Sequence, residues 1–176
     1  MENKEMNSPL YQEVQHFRQA WLWIPILSAA CFCIYAVVQQ LVLDKPFGNN
    51  PAPDTVLIVI AVLFGVGLPL LFYLAKLTTE VRSDGVYIRY FPFHLSFHKT
   101  PLDDLARYEV QTYSALRDYG GWGIRYGWKG KAYNVRGNRG VQLELTKGGR
   151  VLIGSQKPEE LAEAIDLALM RRGPGD

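Results

Sequence analysis

Cysteine and histidine are scarce in this 176-residue sequence, which has two cysteines and three histidines. Both cysteines, Cys31 and Cys33, lie in one apolar run, and this excludes a disulfide framework. Residues two apart on a helix point to different faces, so we interpret the pair as apolar filler rather than as metal ligands. The close pair His94 and His98 has no cysteine outside the apolar run to complete a zinc site. The sequence therefore predicts no metal site and no cofactor.

Sequence motifs of enzymes are also missing. The glycines between residues 120 and 123 do not continue into a dinucleotide-binding fingerprint, and no phosphate-binding loop occurs. Asp103 and Asp104 are adjacent, so on an extended strand they point in opposite directions and do not form an acid and base pair. Ser155 lacks the sequence context of a nucleophile elbow. We therefore expect no catalytic residue and a non-enzymatic protein.

Charged residues are scarce in the first part of the chain, because 15 of the 19 lysines and arginines and 12 of the 17 acids follow residue 78. Residues 21–43 and 55–75 are runs of 23 and 21 residues without a formal charge. At a rise of about 1.5 Å per residue, each run forms a helix of roughly 30 Å, the thickness of the hydrocarbon core. We predict a transmembrane hairpin over residues 21–77, with helices at 21–43 and 55–77 and a turn rich in proline, glycine and asparagine.

Two other interpretations of the first apolar run are weaker. Residues 28–31 resemble a lipoprotein cleavage site, but the run continues well beyond Cys31, and mostly polar residues precede it. A helical core of a soluble protein is disfavoured, because both runs are uncharged for longer than buried helices usually are.

The flanks of the hairpin predict its orientation. Lysines and arginines lie on both outer sides of the hairpin, whereas its turn has only Lys45. The positive-inside rule therefore predicts a multi-pass protein of the cell membrane with both termini in the cytoplasm. Residues 1–20 are predicted to form an interfacial segment, with an apolar stripe if a helix starts at Pro9. The stripe consists of Leu10, Val14, Phe17 and Trp21.

Residues 78–172 change to short β-type runs separated by turn residues, and residues 173–176 follow as a tail. The runs cover residues 78–82, 86–91, 95–98, 107–113, 124–126, 132–135, 141–145 and 151–153. Their spacing predicts an antiparallel barrel or sandwich. Pro158 then starts an amphipathic helix whose apolar face is expected to pack on the sheet. That face consists of Leu161, Ala164, Ile165, Ala168 and Leu169.

Residues 120–165 carry four short motifs in a fixed order. They are Gly-x-Gly-Ile-Arg at 121–125, Gly-x-x-Gly-Val at 137–141, Ile-Gly at 153–154 and Pro-Glu-Glu-Leu at 158–161. The order resembles the end of bacterial PH-like domains attached to membrane hairpins, and the hairpin, entered through residues 12–23, resembles that of one subgroup of those proteins. The resemblance implies an α+β fold, with a two-helix transmembrane hairpin followed by a PH-like antiparallel β-barrel closed by a C-terminal amphipathic helix. Because the motifs are turn and packing residues, the resemblance implies no particular ligand.

A basic and aromatic tract is the one candidate binding site. Between residues 117 and 157 there are nine basic residues and two acids, and no acid occurs from 119 to 143. Five cations lie there among tryptophans and tyrosines, namely Arg125, Lys129, Lys131, Arg136 and Arg139. They are candidates for binding anionic headgroups or a partner, since a cation near an anionic leaflet contributes about 1 kcal/mol. Alternatively, the aromatics are core and the cations coat a solvated strand face. The net charge of +2 disfavours nucleic acid.

The sequence thus favours a membrane-anchored PH-like module with a binding or scaffolding role at the cytoplasmic membrane surface. Its expected partners are the lipid bilayer, anionic lipid headgroups, and a membrane protein or a second copy of the chain. The alternative is a structural subunit of a membrane protein assembly that interacts through the helix hairpin. Small and polar residues are then expected at the contacts, namely Ser28, Gln39, Gln40, Gly65 and Gly67.

Overall fold

The computed structural model describes residues 8–172, which form an α+β protein of two units. The segment ending at His16 and the segment starting at Lys76 together form one unit, which holds two sheets and the final helix. Phe17–Ala75 forms the other unit, which holds two apolar helices. The predictions of an α+β fold and of two apolar helices are confirmed. The predicted second helix, 55–77, was too long, because it ends at Leu74 and Lys76 begins a strand that pairs within the sheet. The predicted tail and the first seven residues of the predicted interfacial segment lie outside the described residues.

The helices of the second unit are α1, Ala20–Val42, and α2, Asp54–Leu74. With 23 and 21 residues, both are long and apolar enough to cross a membrane by length and composition. Their large apolar side chains are mostly exposed, as at Ile24 and Val42, which are 66% and 67% exposed. A core helix of a soluble protein buries such side chains instead.

Part of each apolar helix is π-helical, at Val38–Val42 and at Ala61–Gly67. The second π-helical segment ends just before Pro69, which has no N–H to donate to the carbonyl four residues earlier. Within this unit α1 packs against α2. A Cβ atom added to Gly65 would lie 3.7 Å from the Cβ of Cys33, so the glycine allows the two backbones to approach closely.

The first sheet of the other unit has four antiparallel strands in the order of the sequence. They are β1 (Tyr11–His16), β2 (Lys76–Arg82), β3 (Gly85–Phe91) and β4 (His98–Pro101). The predicted β2–β3 hairpin is confirmed. The predicted strand at 95–98 was placed too early, because β4 starts at the last residue of that run.

Strand β1 corrects the prediction of a helix starting at Pro9. The segment pairs antiparallel with β2, from Tyr11 opposite Val81 to His16 opposite Lys76. Tyr11 and Gln15 are buried while Val14 is 47% exposed, which is the alternation of a strand. The helical stripe was wrong because the edge of β2 offers backbone hydrogen bonds that the local sequence pattern cannot show.

The second sheet has five strands in the spatial order β5–β8–β9–β7–β6. Their bounds are β5 Leu105–Thr112, β6 Gly123–Gly127, β7 Gly130–Asn134, β8 Arg139–Leu145 and β9 Arg150–Gly154. Strands β5, β8 and β9 form an antiparallel meander. The β6–β7 hairpin lies between β5 and β8 in the sequence but joins the free edge of β9, and β7 runs parallel to β9.

This arrangement corrects the prediction of a closed antiparallel barrel. The described strands form two separate sheets, and one strand pair is parallel. The inserted hairpin extends the meander at its edge, so β9 pairs with β7 there. At Gly130, where φ is +109°, a Cβ atom would collide with the carbonyl oxygen of Arg150, so glycine is needed where the hairpin meets β9.

Two helices complete this unit: the short α3, Ala115–Tyr119, and the final α4, Pro158–Arg172. The predicted start and end of α4 are confirmed. It contacts β1 and β2 of the first sheet and β5 and β8 of the second. Leu169 differs from the prediction, since it is 37% exposed rather than part of the packed face. The core consists of fully buried side chains from both sheets and α4, including Leu77, Val81, Val86, Val141, Leu143, Leu152, Ile153, Leu161 and Ile165.

Candidate functional site

The five candidate cations fall into two separate groups. Arg125, Lys129 and Lys131 belong to the β6–β7 hairpin, whereas Arg136 and Arg139 lie between β7 and the start of β8. Lys131 pairs with Val151, the second residue of β9. Gly140, which follows Arg139 in β8, pairs with Gly154 at the other end of β9. The two groups therefore lie toward opposite ends of β9.

Lys131 lies between two tyrosine rings on one face of the hairpin. Tyr126 is its cross-strand partner, and Tyr133 is two residues along the same strand. The Nζ atom of Lys131 lies 5.3 Å and 4.7 Å from the ring centroids of Tyr126 and Tyr133. Burial lowers the pKa of Lys131, but contacts with the two phenol groups outweigh it and the pKa is raised. Lys131 is therefore a stable cation held over aromatic faces at neutral pH.

Lys129, in the turn of the hairpin, is partly neutralised. Its Nζ atom lies 3.1 Å from Oδ1 of Asp118 and 5.6 Å from the ring centroid of Trp128. The backbone N–H of Ser114, and then Lys129, lower the pKa of Asp118, so this carboxylate stays ionised. Trp128 itself is 83% exposed. The turn thus presents an indole to solvent beside a lysine that already has a counter-ion.

Arg125 extends over the loop that precedes β6. Its Nε atom donates a hydrogen bond to the carbonyl oxygen of Trp122, at 2.9 Å. A Cβ atom on Gly121 would lie 3.3 Å from the Nη2 atom of Arg125, and Gly121 has a φ of +133°. The guanidinium is exposed but held in place, so it can bind an anion at little cost in side-chain entropy.

The second group of cations has contacts with the start of α4. Arg139 forms an ion pair with Glu159 in the first turn of α4. The carbonyl oxygen of Arg136 accepts a hydrogen bond of 3.3 Å from Nε2 of Gln156, just before α4. This group therefore helps to connect the β7–β8 loop to the helix.

The β3–β4 loop, which the sequence analysis considered only for a metal site, adjoins the hairpin. His94 lies between β3 and β4. The centroid of its ring is 5.8 Å from that of Tyr133 and 4.0 Å from that of His98. Burial, followed by the charges of His98 and Lys131, lowers the pKa of His94, so this imidazole is neutral at neutral pH. Among residues 8–172 no group of three potential metal ligands occurs. The loop also presents Phe93 and Leu95, which are 63% and 81% exposed.

The same loop lies at one particular end of the first sheet. Lys76, the first residue of β2, is paired both with His16 of β1 and with Phe91 of β3. The chain leaves this unit after His16 and returns at Lys76. Residues 92–97, which follow β3, therefore lie at the end of the sheet where both connections to the apolar helices are made.

A groove of about 580 Å³ runs beside α3. Its polar groups serve the local fold: Oγ of Ser114 accepts the N–H of Arg117 at 3.3 Å, and Asp118 accepts the N–H of Ser114 at 2.9 Å. Asp118 also binds Lys129. These side chains cap α3 and anchor the hairpin, which gives them a structural role.

A polar cluster around Glu13 escaped the sequence analysis. The carboxylate of Glu13 accepts hydrogen bonds from the Tyr11 hydroxyl at 2.7 Å, the Ser155 hydroxyl at 2.6 Å and the Gln156 N–H at 2.9 Å. Oγ of Ser155 in turn accepts the N–H of Lys157 at 2.9 Å, just before α4. The cluster connects β1 to the start of α4, and no local signal could have revealed it, because the partners are 142 and 143 residues apart.

Together these features define a class of protein in which a two-sheet unit, with a cationic and aromatic hairpin, is interrupted by two helices apolar enough to cross a membrane. The chain belongs to a family of unknown function, DUF6141, which matches residues 1–171. No curated protein and no solved structure matches the chain. The resemblance to bacterial PH-like membrane proteins is not found in these comparisons and stays a prediction.

Proposed function

We propose that this protein is a membrane-anchored PH-like module with a binding or scaffolding role at the cytoplasmic surface of the cell membrane. The observation that carries the proposal is the pair of exposed apolar helices, α1 and α2, inserted between two paired strands of the β unit. Exposed apolar helices of this length need a hydrocarbon solvent. The β unit is then held at the membrane surface by both of its connections.

The order of the elements supports the PH-like part of the proposal. The β unit consists of strands in two sheets followed by one C-terminal helix. Strands followed by a terminal amphipathic helix are the element order that the sequence resemblance implies. Within the second sheet, the β6–β7 hairpin extends the meander at the edge of β9. We propose that this hairpin carries the binding surface.

The helical unit offers less support for the alternative function, a structural subunit that assembles through its hairpin. Nε2 of Gln40 donates hydrogen bonds to the Ala52 carbonyl at 2.8 Å and to Oδ1 of Asp54 at 2.7 Å. Gly65 is used in the contact between α1 and α2. These two candidate contact residues therefore stabilise the hairpin itself.

The proposed topology predicts a labelling pattern. In a chain with Cys31 and Cys33 replaced by alanine, Asn49→Cys should react in intact cells with an impermeant thiol reagent, because residues 44–54 are outside. Lys147→Cys, in the exposed β8–β9 turn, should react only after the cells are opened. Labelling of Lys147→Cys in intact cells would place the β unit outside. Loss of the protein from carbonate-washed membranes would contradict the anchoring.

Anionic headgroups are the ligand that the hairpin cations favour. A soluble form of the β unit, with β1 joined directly to β2, is expected to bind vesicles containing acidic lipid and to dissociate as salt rises from 0.1 M toward about 1 M. Replacing Lys131 by glutamine should weaken this binding roughly fivefold, since one cation contributes about 1 kcal/mol. Vesicle co-sedimentation at several lipid concentrations measures the change.

The matched control removes the same charge from the other group. Replacing Arg139 by glutamine should weaken binding much less, because Arg139 lies toward the other end of β9 and already has Glu159 as its partner. Equal losses from the two variants would mean that binding responds to net charge and not to the hairpin. Absence of vesicle binding by the unaltered unit at low salt would remove the headgroup role.

A further inference from the structure

We infer that the β3–β4 loop inserts Phe93 and Leu95 into the interface of the anionic leaflet, beside the cations of the β6–β7 hairpin. The inference rests on the proposed membrane anchoring and adds the surface that contacts lipid. Leu95 and Phe93 are 81% and 63% exposed, and two large apolar side chains on one short loop of a water-soluble unit are costly unless they are covered.

The position of the loop selects the bilayer as the occupant. Residues 92–97 follow Phe91, which is paired with Lys76, and Lys76 is paired with His16. The two connections to the apolar helices therefore leave the β unit from the same end as the loop. Only residues 17–19 and residue 75 lie between these strands and the apolar helices. With the helices anchored as proposed, connections this short keep this end of the sheet close to the bilayer surface.

The charge around the loop is complementary to an anionic leaflet. The sequence has no acid between residues 85 and 102, and none between 119 and 143. These two segments meet at Tyr133, whose ring contacts the ring of His94 and lies 4.7 Å from Nζ of Lys131. The hairpin adds Tyr126 and Trp128, which are 76% and 83% exposed and are residue types enriched at headgroup depth. Apolar tips flanked by lysines and interfacial aromatics match the composition of a membrane interface better than that of a protein contact, in which lysine is depleted.

The full-length protein in vesicles of zwitterionic and anionic phospholipid tests the inference. In the chain with Cys31 and Cys33 replaced by alanine, Leu95→Cys and Phe93→Cys each receive an environment-sensitive fluorophore. Leu95→Cys disturbs the fold less, because replacing Phe93 removes a contact with Tyr90, whose ring centroid is 6.0 Å from that of Phe93. We expect a blue-shifted emission at both positions, and a loss of intensity when part of the lipid carries a nitroxide near the headgroup.

Thr146→Cys is the matched control. The backbone N–H of Thr146 donates a hydrogen bond to the carbonyl oxygen of Asp104. Asp104 follows β4, whose last residue, Pro101, pairs with Gly85. Gly85 is at the end of the first sheet opposite to Lys76. Lys76 and Arg82 are six positions apart along β2, or roughly 20 Å at about 3.3 Å per residue. The probe at position 146 is therefore expected to emit as in water and to be insensitive to the nitroxide lipid.

The outcomes separate the inference from the proposed function. If the protein resists carbonate but its probes at 93 and 95 are as insensitive to nitroxide lipid as the probe at 146, the inference is overturned. The proposed anchoring is then left intact. A blue shift without lipid quenching at 93 and 95 overturns it in favour of a protein contact. A protein that carbonate removes from the vesicles overturns both.

Discussion

Replacing residues 17–75 by a short Asn-Gly-containing turn is expected to give a soluble and folded β unit, whereas the same unit without β1 is expected not to fold. His16 and Lys76 are cross-strand partners in an antiparallel pair, so a tight turn can join them. Without β1, the edge of β2 is exposed beside fully buried Leu77 and Val81, and the cluster around Glu13 is lost. Circular dichroism and denaturant unfolding of the two forms measure the difference.

A point variant in the joined form tests the contribution of the Glu13 cluster separately. Glu13→Ala removes the acceptor of the Tyr11 hydroxyl, the Ser155 hydroxyl and the Gln156 N–H, and should lower the free energy of unfolding by roughly 1–3 kcal/mol. Val14→Ala, on the exposed face of the same strand, should change it by less than about 0.5 kcal/mol. Cooperative unfolding of the β unit without β1, at an unchanged denaturant midpoint, would contradict the place of β1 in the sheet.

Loss of the buried face of α4 is expected to have a similarly large effect. Leu161 and Ile165 are fully buried on the side of α4 that contacts both sheets, so Leu161→Ala and Ile165→Ala should each lower the free energy of unfolding by about 2–5 kcal/mol. Truncation before Pro158 removes both side chains together and should unfold the unit, since a whole domain has a margin of only about 5–15 kcal/mol. Denaturant unfolding of the joined form measures the point variants.

Leu167→Ala is the control for this helix, because Leu167 is 50% exposed and its loss should cost less than about 0.5 kcal/mol. Equal effects at Leu161 and Leu167 would mean that α4 does not pack as described. A truncated unit that keeps its cooperative transition would show that the two sheets are stable without the helix.

Elements that depend on a local sequence pattern could be predicted, whereas those that depend on distant segments could not. The apolar helices, most strands and the bounds of α4 could be predicted, because each depends on a local pattern: an uncharged run, alternation between turns, or an apolar stripe between Pro158 and Arg172. The short runs and the terminal apolar stripe predicted the order of strands and final helix after residue 78. They did not indicate that the chain before the apolar helices belongs to the same sheet.

The candidate site shows the same division between local and distant information. The sequence placed the five cations and their aromatic neighbours on one tract, but only the tertiary structure separated Lys131 from Arg139 along β9 and gave Lys129 and Arg139 their acidic partners. These partners lie 11 and 20 residues away, on α3 and α4, where no spacing rule applies.

By itself, the sequence determined that the chain has two helices apolar enough for a bilayer and a β-rich part, because hydrophobicity and periodicity are properties of neighbouring residues. The tertiary structure alone decided that β1 completes the first sheet, that the β6–β7 hairpin joins the edge of β9, and that the loop with Phe93 and Leu95 lies beside Lys131. The physical reason is that strand pairing satisfies backbone hydrogen bonds between segments far apart in the chain. Which edge is free to accept a strand depends on all the other strands at once.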